Sequence, residues 1–387
     1  MRTLGDLLAD PREVAFLEER GLFTDPEAFA TRLAPPADPR LADRLAVPSG
    51  QPLVYVGQQP ASDYGAATLA KFAAAREEAL AGVTTAIIWH DADRAGSERL
   101  GMRIVLPLGR RRRGIRLAER RFEDREGRWV PVDRAELLDA VAQVREWTGN
   151  ALPGDPEAVH RVDRLAEAVL ERDVDTIARA CAALATVLLR EQLGLCAPAV
   201  FVSDLVGAGM LDAALDVYLA RLDEVVRVFN AARDELLARD IVPHVRALGA
   251  DHLPLHLSCR ADRARLRLSH ERRGRDHFAV ATCRCGRSYR FHLGSGEPSL
   301  GELAGTADWS PGITLPILHD VLVSGWIAGR SSALYGLVLN AVVERVLERR
   351  PVPAYLPAGL AGDAGHPESL LVAYLTGSAG ELSGMRA

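Results

Sequence analysis

Three groups of side chains in this chain have the types and spacing for chemistry. The first is Gly57-Gln58-Gln59-Pro60, at the exit of an apolar run and ahead of a helical stretch that carries Lys71. A glycine there admits close backbone approach, and a following helix N-terminus favours an anion. Paired glutamine amides can grip a carboxylate, a ribose or an amide. Of the 47 Lys and Arg side chains, Lys71 is the only lysine. The Ala and Arg richness looks like that of a GC-rich genome, in which a lysine needed only for charge drifts freely to arginine. A lysine that must lose a proton, or act as a compact ammonium, does not.

The second group is His90-Asp91-Ala92-Asp93, directly after another apolar run. Two acids on alternate residues could orient an amine or hold Mg²⁺, and His90 could act as a base. Asp93 also suits the cap of a following helix, and both roles are compatible. The third group is His252, His256, Cys259, Asp262, Cys283 and Cys285, in alternating, Arg-rich text. Cys283-Arg284-Cys285-Gly286 reads as a zinc-ribbon knuckle shortened by one residue. If 263–270 pairs antiparallel with 277–282, Cys283 returns beside Cys259. The expected zinc site is then Cys259, Cys283 and Cys285, with His256 as fourth ligand and Asp262 as the alternative. A closed set of this kind is structural; a metal-free ribbon and a redox thiol pair are the other readings. Cys181 and Cys196, in Ala/Leu-rich helical text, are expected to be inert core residues.

These groups need elements to present them. Residues 53–57 (LVYVG) and 84–89 (TTAIIW) read as buried strands flanking a helix over 66–80, a βαβ unit that starts a parallel sheet. Ligands of such sheets lie off the carboxyl ends of the strands, where Gly57-Gln58-Gln59 and His90 to Asp93 fall. The expected division is an N-terminal helical segment (1–50), an α/β core (51–133), a helical insertion (134–250), a small β module (251–297), a second part of the core (298–352) and a loose C-terminal tail (353–387). Residues 102–132 suggest a hairpin with Arg110 to Arg113 at its tip. The amphipathic text from Met210 to Ala247 could form a homodimer surface, with packing inside the chain preferred.

Composition narrows the function. With 387 residues, 48% apolar and 26% charged, the chain is an ordinary globular protein of two or three domains. A net charge of −5 and 5% aromatics argue against nucleic acid and anionic membranes as partners. No apolar stretch has the length of a membrane span, and MRTLGDLLADPREV is unlike a secretory signal. With the odd cysteine number, this points to the cytoplasm.

The text VGQQPASDYGAATLAKF, then TTAIIWHDADRAGSERL, then WSPGITLPILHDVLVSGWIAGRSSALYGL resembles, in that order, the bacillithiol-biosynthesis cysteine-adding enzymes. Gly57, Gln58, Gln59, Pro60 and Gly65 keep their places in the family pattern, and Lys71 is one position off the family lysine. Asp91 and Asp93 fall on the two aspartates of an acidic box, and Ser310, Pro311, Pro316, Asp320, Gly329 and Tyr335 also match. The likeness covers residues 10–133 and 298–350. It implies a Rossmann-like core, so that the whole reads as α/β with a helical insertion and a small zinc-ribbon-like β module. It further implies a ligase joining an amino acid, cysteine in the family, to the amine of a small-molecule acceptor. Gly57, Gln58, Gln59, Gly65, Asp320, Gly329 and Tyr335 would bind substrates, and Lys71, His90, Asp91 and Asp93 would act in catalysis, with ATP as a possible cosubstrate. Three departures stand out: Ala92 replaces the histidine between the aspartates, Leu315 an arginine and Ser332 a glutamate. The chain is also expected to stop short of the family's C-terminal coiled coil. The competing reading is a non-catalytic binding or scaffold protein that kept the fold. A third, an RNA-binding ribbon, rests on the Arg-rich strands near 260–275.

Overall fold

Strands β2 (Leu53–Gln58) and β3 (Thr84–Trp89) form around the apolar runs LVYV and AIIW, which are buried on both faces. That pattern suits a parallel strand covered on either side. The computed structural model describes residues 2, 4–95, 103–106, 113–117, 119–170, 174–304, 306, 308–312, 322–357 and 369–377. Asp320, Pro316, Leu315 and the tip at Arg110 to Arg112 lie outside these.

The first stretch supplies helices α1 (Leu4–Leu8), α2 (Pro11–Glu19), α3 (Pro26–Ala30) and α4 (Arg40–Arg44), and between them the short strand β1 (Leu22–Phe23). Helix α5 (Ala66–Leu80) joins β2 to β3. A hairpin of β4 (Arg103–Leu106) and β5 (Arg113–Arg116) follows. Three long helices come next: α6 (Arg134–Ala151), α7 (Pro156–Leu170) and α8 (Ile177–Leu193). Strand β6 (Ala199–Phe201) then leads into α9 (Val202–Gly207), α10 (Asp212–Ala220) and α11 (Leu222–Ala238). The Arg-rich segment forms β7 (His252–Ser258), β8 (Arg265–Arg273), β9 (Asp276–Thr282) and β10 (Ser288–Ser295). Last come β11 (Trp309–Pro311), β12 (Gly325–Ile327), α12 (Arg330–Arg345), β13 (Ala354–Tyr355) and α13 (Leu370–Thr376).

The main sheet has six strands in the order β1-β13-β12-β2-β3-β6, every pairing parallel. Its two faces are read directly from strand alternation. Leu53 and Tyr55 of β2 join the core that contains α10, α11 and α12, whereas Val54 and Val56 join the core of α5, α6, α7, α8 and α13. β2 hands the chain through α5 to β3 on one side, and β12 hands it through α12 to β13 on the other. The connections diverge between β2 and β12, which are hydrogen-bonded neighbours. Open parallel sheets bind ligands at such a divergence, off the carboxyl ends.

The second sheet is antiparallel, in the order β10-β9-β8-β7-β11. The expected antiparallel pairing of β8 with β9 is present. Several boundaries shift. β6 falls inside the stretch expected as a helical insertion, yet pairs with β3. Trp309–Pro311 joins the small sheet rather than the core. The C-terminal segment contributes a buried strand to the main sheet and the buried helix α13, so these parts are not a loose tail. The apolar faces of α10 and α11 are buried in the shared core, as the intramolecular reading expected. No described helix is long and apolar enough to cross a membrane.

Candidate functional site

A cavity of ≈ 760 Å³ opens at the carboxyl ends of β2, β3 and β12, between the N-termini of α5 and α12. Of the residues singled out from sequence, Gly57, Gln58, Gln59, Gly65, Lys71, His90, Asp93, Gly329 and Tyr335 all line it.

Lys71 projects from α5 and is only 8% exposed. Its Nζ donates to the Gly57 carbonyl at 2.7 Å and to Gln58 Oε1 at 3.1 Å. Burial lowers its pKa to about 8, because the charged form loses hydration. Among the described residues no carboxylate pairs with it. The N-terminus of α12 closes against its stem: a Cβ on Gly329 would sit 3.2 Å from Lys71 Cδ. That terminus is capped within the chain, since Ser332 Oγ accepts from the Gly329 N–H at 2.7 Å. An ammonium and two helix N-termini converging on one cavity favour an anion.

His90 sits beside this group. Its N–H donates to the Gln58 carbonyl at 2.9 Å, and a Cβ on Gly57 would come within 2.8 Å of its Nε2. Its pKa lies below the ordinary imidazole value, first through burial; the Lys71 charge adds to this and Asp93 opposes it. Burial and the Lys71 charge thus both favour the uncharged ring. Asp93 accepts from Gln59 Nε2 and faces Arg265 Nη2 of β8 at 3.6 Å.

Asp91 goes elsewhere. It is buried outside the cavity lining, and accepts from both the N–H (3.0 Å) and the Oγ of Ser203, at the start of α9. Burial pushes its carboxyl up to about 6. The chain turns sharply after Trp89, so two acids two residues apart point to different places. Asp93 does not cap a helix directly, since Arg94 forms an antiparallel bridge with Glu126; residues 96–102 lie outside those described. The cavity also holds groups that sequence reading missed. Tyr55 and Trp326 contribute aromatic surface, and Arg330 and Ser331 come from the start of α12. Exposed His244 reaches the rim on a loop between α11 and β7. Only Trp326 and the start of α12 lay in a motif already under consideration; nothing local marks His244.

The cysteine cluster lies at one end of the small sheet, where the β7–β8 and β9–β10 turns meet. Ligand atoms of Cys259, Asp262, Cys283 and Cys285 all fall within 4.8 Å of one another, a set that could hold a metal ion. Cys259 Sγ is 3.6 Å from Cys285 Sγ, and Cys283 Sγ is 3.4 Å from Asp262 Oδ2. The fourth member is thus Asp262 and not His256. His256 lies inside β7, whereas Cys259 and Asp262 come from the turn beyond its end, and the imidazole is not part of the set. A Cβ on Gly312 would sit 3.2 Å from its ring. Burial, then the nearby arginines Arg265, Arg94 and Arg267, lower the His256 pKa to about 3. Cys181 is buried as expected, but Cys196 is exposed and not part of the core. No family model matches this chain, and no curated protein does.

Proposed function

We propose that the cavity is the active site of a carbon–nitrogen ligase that couples the carboxyl of an amino acid to the amine of a small acceptor. The observation that carries this is the chain's sole lysine, buried without a carboxylate partner among the described residues, at a cavity between two helix N-termini. The likeness to the cysteine-adding enzymes supports cysteine as donor, and the doubly covered parallel sheet is compatible with the Rossmann-like core that the likeness implies.

In this reading ATP phosphorylates the donor carboxylate, giving an acyl phosphate and ADP. The acceptor nitrogen attacks the acyl carbon, its proton passes to His90, and phosphate leaves as the C–N bond forms. Lys71 and the start of α12 stabilise the phosphate and the developing oxyanion. Gln58 orients the donor through its amide. The Asp93–Gln59 pair holds the acceptor's ammonium before it gives up its proton. Gly57, Gly65, Gly329 and Tyr335 shape the binding surface. In the same reading the Cys₃Asp cluster holds Zn²⁺ as a structural ion, since thiolate-rich tetrahedral sets suit it.

Calorimetric titration with ATP, ADP, AMP and cysteine tests this. ATP is expected to bind the native chain, and Lys71→Met to weaken binding at least tenfold, on the order of 1.4 kcal/mol. Undiminished binding by folded Lys71→Met removes the lysine from the site. A second reading, ligand binding without turnover, is favoured by the engagement of Asp91 with Ser203 and by Ser332 at the family's glutamate position. ATP binding with no ADP released, in the presence of amino acids and amines, would select it.

A further inference from the structure

The small sheet and the cavity meet at one side chain. Arg265 opens β8, directly after the turn that carries two of the four clustered ligand groups. That turn is closed: the Cys259 N–H donates to the Ala264 carbonyl at 2.9 Å, and the Arg263 N–H to the Cys259 carbonyl at 2.8 Å. The Ala264 N–H donates to Asp262 Oδ1 at 3.0 Å. Arg263 takes a left-handed φ of 59°, and these bonds join the two ligand groups to Arg265 through one short turn. On the far side of Ala264, the Arg265 N–H donates to the Asp124 carbonyl at 2.8 Å.

The Arg265 side chain is 13% exposed and points away from the cluster, toward the main sheet. Its guanidinium lies 3.4 Å from Glu126 Oε1 and 3.6 Å from Asp93 Oδ1. Its Nε is buried with no hydrogen-bond acceptor, so charge rather than bond geometry holds the group. Asp93 in turn takes the Gln59 amide, and both line the cavity.

We infer that Arg265 is a positioning residue that transmits the state of the Cys259–Asp262–Cys283–Cys285 cluster to the Asp93–Gln59 pair, so that a divalent cation in the cluster sets the geometry of the cavity wall. With the cation bound, Cys259 and Asp262 are pinned, the turn is fixed, and Arg265 holds Asp93 in place. Without it, the cluster is held by hydrogen bonds alone: Asp262 takes the Ala264 N–H and the Cys283 thiol, and Cys259 Sγ lies 3.1 Å from the Tyr289 hydroxyl. The inference rests on the metal reading of the cluster and is independent of any ligase activity.

The test uses the full chain and no substrate. Co²⁺ titration reads thiolate coordination from its charge-transfer absorption. The imidazole resonance of His90, assigned by its loss in His90→Gln, reads the cavity at fixed pH. In the native chain Co²⁺ is expected to give the thiolate band, and Zn²⁺ to shift the His90 resonance. In Arg265→Met the Co²⁺ band should persist while the Zn²⁺-induced shift disappears, and Arg265→Lys should recover part of that shift. Asp93→Asn cuts the link at its other end and should also abolish the shift, which guards against an unfolded Arg265→Met. Absence of the Co²⁺ band overturns the metal reading. A normal band with an unresponsive native His90, or a full response in Arg265→Met, overturns the role of Arg265.

Discussion

Lys71 illustrates a conflict between stability and use at a single residue. Bringing its pKa from 10.5 to about 8 corresponds to about 3 kcal/mol of penalty on the folded state at neutral pH, at 1.36 kcal/mol per unit. The sign follows from proton linkage. Below pH 8 both folded and unfolded lysines are charged, and the penalty is fully present. Between 8 and 10.5 the unfolded chain holds the proton more tightly, so the native protein gains stability as pH rises. Lys71→Met should therefore raise stability at pH 7, and that advantage should shrink toward pH 10. Urea denaturation of both proteins at pH 7 and pH 9.5 checks this; a pH-independent difference would refute it. This residue was legible from sequence because it is the sole lysine in an arginine-rich chain. Asp91 and Asp93 were legible only as a pair, since the sharp turn that separates their fates leaves no mark in the sequence. Strand parity argues against His256, three positions before Cys259, but Asp262 reaches the thiols only through the turn after β7, which parity does not describe.

At the scale of elements, the long and continuously apolar strands β2 and β3 were readable, and so was the helix between them. β1, β6 and β13 were not. They have two or three residues each, too few for any period to show, and their strand character comes from neighbours already in the sheet. The end of β2 carries the sharpest constraint on the site. A Cβ at position 57 would meet His90 Nε2 at 2.8 Å and Tyr55 Cε2 at 3.0 Å. Tyr55 is 1% exposed and stacks on Trp326, so it has no room to yield, and the histidine must move. Gly57→Ala is expected to destabilise by about 1–3 kcal/mol, the usual cost of overpacking, and to weaken ATP binding through displaced His90. Gly207, at the end of α9, is the control. Its Cβ would meet nothing within 4 Å, so Gly207→Ala should leave binding unchanged and hold or slightly raise stability. Chemical denaturation and calorimetry on the two variants separate the site effect from the general effect of adding a methyl group.

For the whole molecule, the question is whether the small sheet is a domain of its own, as its abrupt change in composition suggests. Two observations oppose that. Leu253, Leu255, Leu257, Leu268, Phe291 and Leu293 of the small sheet share one apolar core with α10, α11 and α12 and one face of the main sheet. Glu126, fully buried, also ties the parts together by charge. It pairs with Arg128 at 2.7 Å and Arg265 at 3.4 Å, and accepts from Ser258 of β7 and Ser310 of β11. The residues around it are anchored to the cavity loop, because the Gly127 N–H donates to the Asp93 carbonyl and the Arg128 N–H to that of Asp91. Removing the carboxylate leaves two buried guanidinium groups without their shared counter-ion, which typically costs about 3–5 kcal/mol. Glu126→Ala should lower stability by that order, and Glu126→Gln by less, since the amide keeps one acceptor for a serine. Since the apolar core is continuous, the loss should move the midpoint of a single unfolding transition without splitting it. Hydrogen exchange at β7 and β11, compared with β2 and β3, provides the decisive reading. A biphasic transition in which β7 to β11 open first would restore the small sheet to the rank of a separate domain, and would leave Glu126 as a latch between two domains rather than a post inside one.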